Sequence, residues 1–131
     1  MNRFFIIIMF IMFSACKEKI EYGDINLTEK IKRIEISTLK KDFSKYNKDT
    51  LRIKGNLTLG MGNTCINSEG ISIWINNLKP AVNIDFIFGD NFHKKINNKS
   101  VELIGVYKYG KAGNLNLYDG EFTKILYIKT K

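Results

Sequence analysis

The strongest constraint on the fold is a run of alternating residues between positions 51 and 59. Its apolar members are Leu51, Ile53, Leu57 and Leu59, and its polar members are Arg52, Lys54, Asn56 and Thr58. Side chains alternate between the two faces of a strand, so this run predicts a half-buried strand with a basic outward face. Gly55 at its centre predicts a bulge or sharp bend, which lets one strand serve two sheets of a small barrel.

Further strands are predicted after this one. Ile71, Ile73 and Ile75 alternate with Ser72, Trp74 and Asn76, and residues 82–88 alternate in the same way. Residues 101–109 are apolar on both faces and are interrupted by Gly105, which is typical of a central or bent strand. Residues 115–118 and 122–128 predict two final strands, separated by a hairpin turn at Asp119-Gly120. The candidate core aromatic residues are Trp74, Phe86, Phe88, Tyr107, Phe122 and Tyr127.

One short helix is predicted before the strands. Leu39, Phe43 and Tyr46 are spaced by four and three residues over 38–46, and Ser37 occupies the expected N-cap position. The chain has 131 residues, which suits a single domain. One helix followed by five or six short strands predicts a mainly β fold, either a small barrel or a sandwich.

The first sixteen residues have the organisation of an export signal. Arg3 precedes ten consecutive apolar residues, and the small residues Ser14 and Ala15 follow. Ten helical residues span about 15 Å, roughly half of the hydrocarbon core of a bilayer. The segment therefore predicts a cleaved signal rather than a stable membrane span.

The end of this segment resembles the lipobox of bacterial lipoproteins, since it reads Phe13-Ser14-Ala15-Cys16 with phenylalanine in place of the usual leucine. The resemblance implies a signal peptide over 1–15 and a diacylglycerol on the Cys16 thiol. Residues 16–30 would then be the lipidated cysteine and a polar tether, and the protein would be held at a membrane of the cell envelope. The expected location is the outer membrane, on its periplasmic or surface side. The alternative is an ordinary signal or anchor in which Cys16 is incidental.

The rest of the chain resembles bacterial lipoproteins with an OB-fold. The resemblance rests on Ser37, Leu39 and Tyr46 before a strand ending at Gly55, on the strand from Val101 to Gly105, and on the glycine-rich segment 110–114 before the last strand. The histidine that many relatives carry in that segment is absent. The resemblance covers residues 36–129 and implies a five-stranded Greek-key barrel. Together with the strand pattern, it predicts a five- to six-stranded OB-like Greek-key barrel over residues 31–131, with one short N-terminal helix. The resemblance implies no particular function.

Residues suited to catalysis are sparse. His93 is the only histidine, with Asp90 beside it and Asp85 not far away; Asp90 and His93 could offer two metal ligands, but no third ligand and no nucleophile for a catalytic triad are evident. Asp119 and Glu121 are interpreted as turn and surface residues. With Cys16 lipidated, Cys65 has no disulfide partner, and its uncharged neighbours favour a buried thiol over a reactive one. We therefore expect no enzymatic activity, no metal and no cofactor.

Binding is the better-supported class of function. The formal net charge is +8, but only three of the 21 basic residues are arginine. A nucleic-acid site would favour arginine, and an exported protein rarely meets nucleic acid. The charge is either a solvated lysine surface or an anion-binding face. OB barrels bind ligands on one sheet face and its bordering loops, and the candidate binding residues are Arg52, Lys54, Lys108, Lys111 and Tyr118.

The sequence favours a monomeric, lipid-anchored binding or interaction module of the cell envelope. An anionic glycan, a lipid headgroup or a protein are its candidate partners. Two other functions stay open. One is an immunity or inhibitor protein that binds a toxin or lytic enzyme, and the other is an envelope hydrolase or metal enzyme that uses His93.

Overall fold

The computed structural model describes residues 19–60, 63–76 and 94–131, and within them six strands dominate. The predicted strand at 82–88, together with Phe86 and Phe88, lies outside the described residues. The strands are β1 (Glu21–Gly23), β2 (Thr50–Thr58), β3 (Cys65–Ser68), β4 (Ile71–Ile75), β5 (Ser100–Ala112) and β6 (Tyr118–Thr130). The helices are α1 (Leu27–Lys30) and α2 (Ile36–Lys41), with 3-10 turns at Phe43–Tyr46 and Asn114–Asn116.

The strands close into a ring with Greek-key connectivity. β2, β3 and β4 are consecutive antiparallel neighbours, and β5 returns to pair with β2. The spatial order β5-β2-β3-β4 is that of a Greek key. β6 then pairs antiparallel with β5 and parallel with β4, through Trp74 opposite Glu121 and Ile75 opposite Phe122. The predicted fold class, a mainly β protein with a small OB-like Greek-key arrangement of five to six strands, is confirmed.

The strand predicted from the alternation at 51–59 is β2. Leu51, Ile53 and Leu57 are buried, and they pack with Ile36 and Leu39 of α2 in the central core. β2 pairs with β5 over Thr50–Asn56 and with β3 over Asn56–Thr58. β2 therefore changes partner at Asn56, next to Gly55, but its pairing with β5 and β3 shows no register shift where a bulge was predicted.

β5 is buried on both faces from Val101 to Gly105, as its apolar pattern predicted, whereas Lys108 and Tyr109 towards its end are exposed. Leu103 faces the central core, and Ile104, next to it, is also fully buried. A register shift follows at Gly105, where a bulge or bend was predicted. Ile104 is opposite Arg52 on one side and Tyr127 on the other, on the outward face of the sheet.

Residues 20–34, here called the N-terminal segment, are bound to this outward face. The amide of Thr130 donates to the carbonyl of Ile20, the amide of Ile20 donates to the Thr130 hydroxyl, and β1 pairs with β6 from Glu21 to Gly23. The amide of Ile34 donates to the carbonyl of Arg52 at 2.9 Å. The predicted tether over 16–30 therefore contains a strand and a helix that belong to the folded domain.

Three local predictions are wrong. Asp119 and Gly120 lie inside β6, and the β5–β6 turn is formed instead by residues 113–117, where Leu115 and Asn116 have positive φ. The predicted helix over 38–46 is split into α2 and a 3-10 turn. α2 begins at Ile36, with Glu35 rather than Ser37 at its N-cap position.

Candidate binding surfaces

The five predicted binding residues do not form one site. Arg52 and Lys54 lie on β2, Lys108 and Lys111 lie towards the end of β5, and Tyr118 begins β6. Each group has a different environment.

Arg52 is bound by its own chain. Its Nη2 lies 2.9 Å from Oε1 of Glu102, and its Nη1 donates to the carbonyls of Thr28 and Ile31, at the two ends of the α1 turn. The side chains of Arg52 and Glu102 are only 22% and 11% exposed. Nε is buried and has no hydrogen-bond partner in the part of the chain that the structure describes. The guanidinium therefore joins the N-terminal segment to the sheet.

Lys108 and Lys111 are paired with carboxylates. Lys108 Nζ lies 3.5 Å from Glu121, and Lys111 Nζ lies 2.6 Å from Asp119. The hydrogen bond to Asp119 and the charge of that carboxylate raise the pKa of Lys111. The two acidic residues of this region thus neutralise the two predicted basic residues.

A groove lined by four lysines, none of them in an ion pair within the described residues, lies on the outward face beside Arg52. Its volume is about 410 Å³, and it is lined by Lys19, Lys54, Glu102, Lys129, Thr130 and Lys131. Lys54 is directly opposite Glu102 on β5, which in turn is opposite Lys129 on β6. We call it the lysine groove.

A second surface is uncharged and aromatic. The rings of Trp74 on β4 and Tyr118 on β6 lie 5.3 Å apart between centroids, tilted by 47°. A Cβ on Gly113 would come within 2.5 Å of the Tyr118 ring and 2.8 Å of the Trp74 ring, and the φ of Gly113 is +73°. The close approach of the β5–β6 turn to both rings therefore requires glycine here.

Amide and hydroxyl groups continue this surface. Tyr118 donates to Oδ1 of Asn63 at 2.6 Å, and Nδ2 of Asn67 donates to Thr58 at 3.0 Å. Oδ1 of Asn67 also accepts from the Ser72 hydroxyl. We call Trp74, Tyr118, Asn63, Asn67 and Ser72 the Trp74–Tyr118 face.

Cys65 lies beneath this face. It is 2% exposed, and its Sγ is 3.4 Å from Oδ1 of Asn63 and from Oδ1 of Asn67. The expectation of a buried thiol is confirmed. Partial burial, followed by the proximity of Cys65, raises the pKa of Tyr118. The Tyr118 hydroxyl is the donor of the hydrogen bond to Asn63.

A cleft adjoins the Trp74–Tyr118 face where the first residues of β4 and β6 separate. Its volume is about 420 Å³, within the range of small-molecule sites. It shares Ser72 and Tyr118 with the face, and its other lining residues are Lys40, Phe43, Gly70, Ile71, Ile73, Leu117, Asp119 and Gly120.

Cys16, His93, Asp85 and Asp90 lie outside the described residues. Within residues 19–60, 63–76 and 94–131, no three His, Cys, Asp or Glu side chains are grouped so that they could hold a metal ion. Over the same ranges, no helix is long and apolar enough to cross a membrane.

Comparison with protein-family models and with curated proteins found no match to this chain. Function must therefore be argued from the chemistry of these surfaces.

Proposed function

We propose that this protein is a lipid-anchored, non-catalytic binding module of the bacterial cell envelope, and that it binds a neutral glycan on the Trp74–Tyr118 face. The proposal combines the lipobox-like sequence at Cys16 with the position and chemistry of this face. The paired aromatic rings beside hydrogen-bonding amides are the observation that carries it.

The position of the face supports a binding role. OB barrels bind oligonucleotides and oligosaccharides on the face of their second and third strands and on two bordering loops. β3 and β4 are the second and third strands of this ring, and they carry Asn67 and Trp74. Asn63 lies between β2 and β3, and Tyr118 directly follows the β5–β6 turn. The residues thus come from all parts of the surface that such barrels use.

The chemistry of the face favours a sugar over an anion. Aromatic rings offer flat apolar contact, and a few placed polar groups then fix the orientation of a ligand. The amides of Asn63 and Asn67 and the hydroxyl of Ser72 both donate and accept, as sugar hydroxyls require. None of the five residues is charged.

Binding can be measured through Trp74, since it is the only tryptophan in the chain. Chitotetraose is a suitable neutral probe because its acetamido groups complement the amides, and maltotetraose serves as a probe without them. We expect chitotetraose to change the Trp74 emission and Tyr118→Ala to weaken its binding at least tenfold, roughly the loss of one aromatic hot spot.

Ile25→Ala is the matched control for that experiment. Ile25 is 56% exposed and lies between β1 and α1, away from β3, β4 and the β5–β6 turn. The control should bind chitotetraose like the unchanged protein. The glycan proposal is refuted if neither oligosaccharide changes the emission, or if Tyr118→Ala binds as tightly as Ile25→Ala.

The anchor has a separate test. Expression of the full chain in a bacterial host should give a protein that begins at Cys16 and carries acyl mass on that residue. Globomycin or Cys16→Ser should leave the signal uncleaved. An unmodified Cys16, or cleavage at another position, would contradict the lipid anchor without affecting the glycan test.

An inhibitor or immunity function is the second candidate, and the β5–β6 turn favours it. Leu115 and Leu117 are 80% and 73% exposed, and the φ of Leu115 is +57°. Exposed leucines on a strained turn suit insertion into a protein partner. Pull-down from envelope extract should then recover one stoichiometric protein, and the pair of substitutions Leu115→Asp and Leu117→Asp should abolish its recovery.

A further inference from the structure

We infer that the lysine groove binds the phosphates of anionic lipids, so that the protein contacts its membrane through a surface as well as through an acyl anchor. The inference rests on the proposed lipid attachment at Cys16, which places the groove beside a bilayer. The glycan face plays no part in it.

The backbone of the sheet fixes the lysines in place. Lys54 and Lys129 flank Glu102 in register on three neighbouring strands. Lys131 is held by the hydrogen bond of its amide to the Ser100 carbonyl at 3.1 Å, and Lys19 precedes Ile20, which is bound to Thr130. The four ammonium groups therefore surround one groove rather than being scattered over the surface.

The groove has a large excess of positive charge. Within the described part of the chain, none of Lys19, Lys54, Lys129 and Lys131 lies within 4.0 Å of a carboxylate oxygen, in contrast to Lys108 and Lys111.

The nearby carboxylates are already engaged. Glu102 is paired with Arg52, and Glu21, opposite Lys129, accepts a hydrogen bond from Tyr127 at 2.5 Å. The lysines are therefore available to an external anion.

The anchor lies close to this groove along the chain. Lys19 is three residues after Cys16, and three extended residues reach about 11 Å at most. Charges act over roughly 8–10 Å at physiological salt, and each lysine near an anionic bilayer contributes about 1 kcal/mol. Lipid phosphates are thus the anions that a protein anchored at Cys16 meets at the highest local concentration.

The test uses the mature chain, residues 16–131 with Cys16→Ser, since every described strand and helix lies within it. Co-sedimentation compares phosphatidylcholine vesicles with vesicles that contain one quarter phosphatidylglycerol. We expect binding only to the anionic vesicles, and loss of that binding when sodium chloride is raised from 50 to 500 mM. Replacement of Lys54, Lys129 and Lys131 together by glutamine should weaken it at least tenfold.

The matched control replaces Lys45, Lys108 and Lys111 by glutamine, which removes the same net charge elsewhere on the surface. It should retain binding close to that of the unchanged chain. Equal loss in both triple variants would show a general charge effect and overturn the groove as the site, provided that circular dichroism shows both to be folded.

Two further outcomes identify the ligand and the source of a failure. Displacement from the vesicles by a few millimolar inorganic phosphate, but not by sodium chloride of equal ionic strength, would assign the groove to free phosphate and overturn the lipid proposal.

The vesicle assay does not depend on acylation of Cys16. Groove-dependent vesicle binding therefore stands even if Cys16 is found unmodified, and a lipidated protein whose groove binds no vesicles refutes the groove alone.

Discussion

Arg52→Ala is expected to lower the free energy of unfolding by about 3 kcal/mol, the lower end of the cost of breaking a buried ion pair. Glu102 is 8% exposed as a residue, and without Arg52 its carboxylate would lose the one cation that lies within 4.0 Å of it among the described residues. The carbonyls of Thr28 and Ile31 would also lose their shared donor. Urea unfolding followed by circular dichroism measures the loss.

Lys54→Ala is the matched control, because Lys54 is the next outward-facing residue of β2 and is free of ion pairs within the described residues. It should change stability by less than about 0.5 kcal/mol, as is usual for surface substitutions. Equal destabilisation by the two alanine variants would show that the ion pair is not the cause.

A double-mutant cycle tests the pair directly. Arg52→Met and Glu102→Gln each break it, whereas the double variant leaves no buried charge. The double variant should therefore be more stable than the sum of the single effects predicts, by about 1–3 kcal/mol. Hydrogen exchange should also show that Arg52→Met loosens α1 and the backbone around Ile34 more than it loosens the core.

The spacing of apolar residues predicted the longer strands that pack against the core. The alternations at 51–59 and 71–75, and the doubly apolar run from Val101, became β2, β4 and β5, because strand side chains alternate regardless of distant contacts. The register shift at Gly105 could be predicted for the same local reason, whereas the described pairing of β2 shows no register shift at Gly55.

The missed elements depend on pairing that no local pattern reveals. β1 has three residues and β3 has four, so neither is long enough to show a period. Asp119-Gly120 is a frequent turn pair, yet here the chain continues as a strand because β6 pairs with β5 on both sides of it, with a register shift at this point. Local turn propensity was overridden by this tertiary contact.

The candidate site residues also differ in this way: some could be predicted from local sequence, and others depend on tertiary contacts. Tyr118 was predicted from its position near the last turn. Trp74 was predicted to be a core aromatic residue, although its place between Ile73 and Ile75 puts it on the outward face. Arg52 looked free because nothing in the sequence shows that residues 28–31 fold back over it. No signal marked Asn63 or Asn67, whose role depends on the register of β2, β3 and β4.

Gly120→Ala is the second substitution with a large expected effect, about 3 kcal/mol, at the upper end of the usual cost of overpacking. Gly120 lies in β6 against the ring of Tyr107, which is fully buried. A Cβ there would overlap the Tyr107 hydroxyl oxygen and lie 2.5 Å from Cζ and Cε2. No side chain can be added unless the tyrosine moves.

Tyr107 has little room to move. Its ring packs edge-on against Phe122 with centroids 6.0 Å apart, and its hydroxyl donates to the carbonyl of Asp119 at 3.4 Å. Burial raises the pKa of Tyr107 to about 12, as expected for a hydroxyl withdrawn from water. The clash must therefore displace the core or the first residues of β6.

Gly60→Ala provides the control, since among the described residues a Cβ there would meet only the Asn63 carbonyl oxygen, at 3.9 Å, and the φ of Gly60 needs no glycine. It should melt within a few degrees of the unchanged protein.

Tyr107→Phe removes the atom that overlaps most with the added Cβ. The double variant Gly120→Ala, Tyr107→Phe should therefore recover part of the lost stability and be less destabilised than the sum of the two single effects. If Gly120→Ala melts like Gly60→Ala, then β6 does not press on Tyr107 in solution, and the Asp119-Gly120 pair regains its interpretation as a turn.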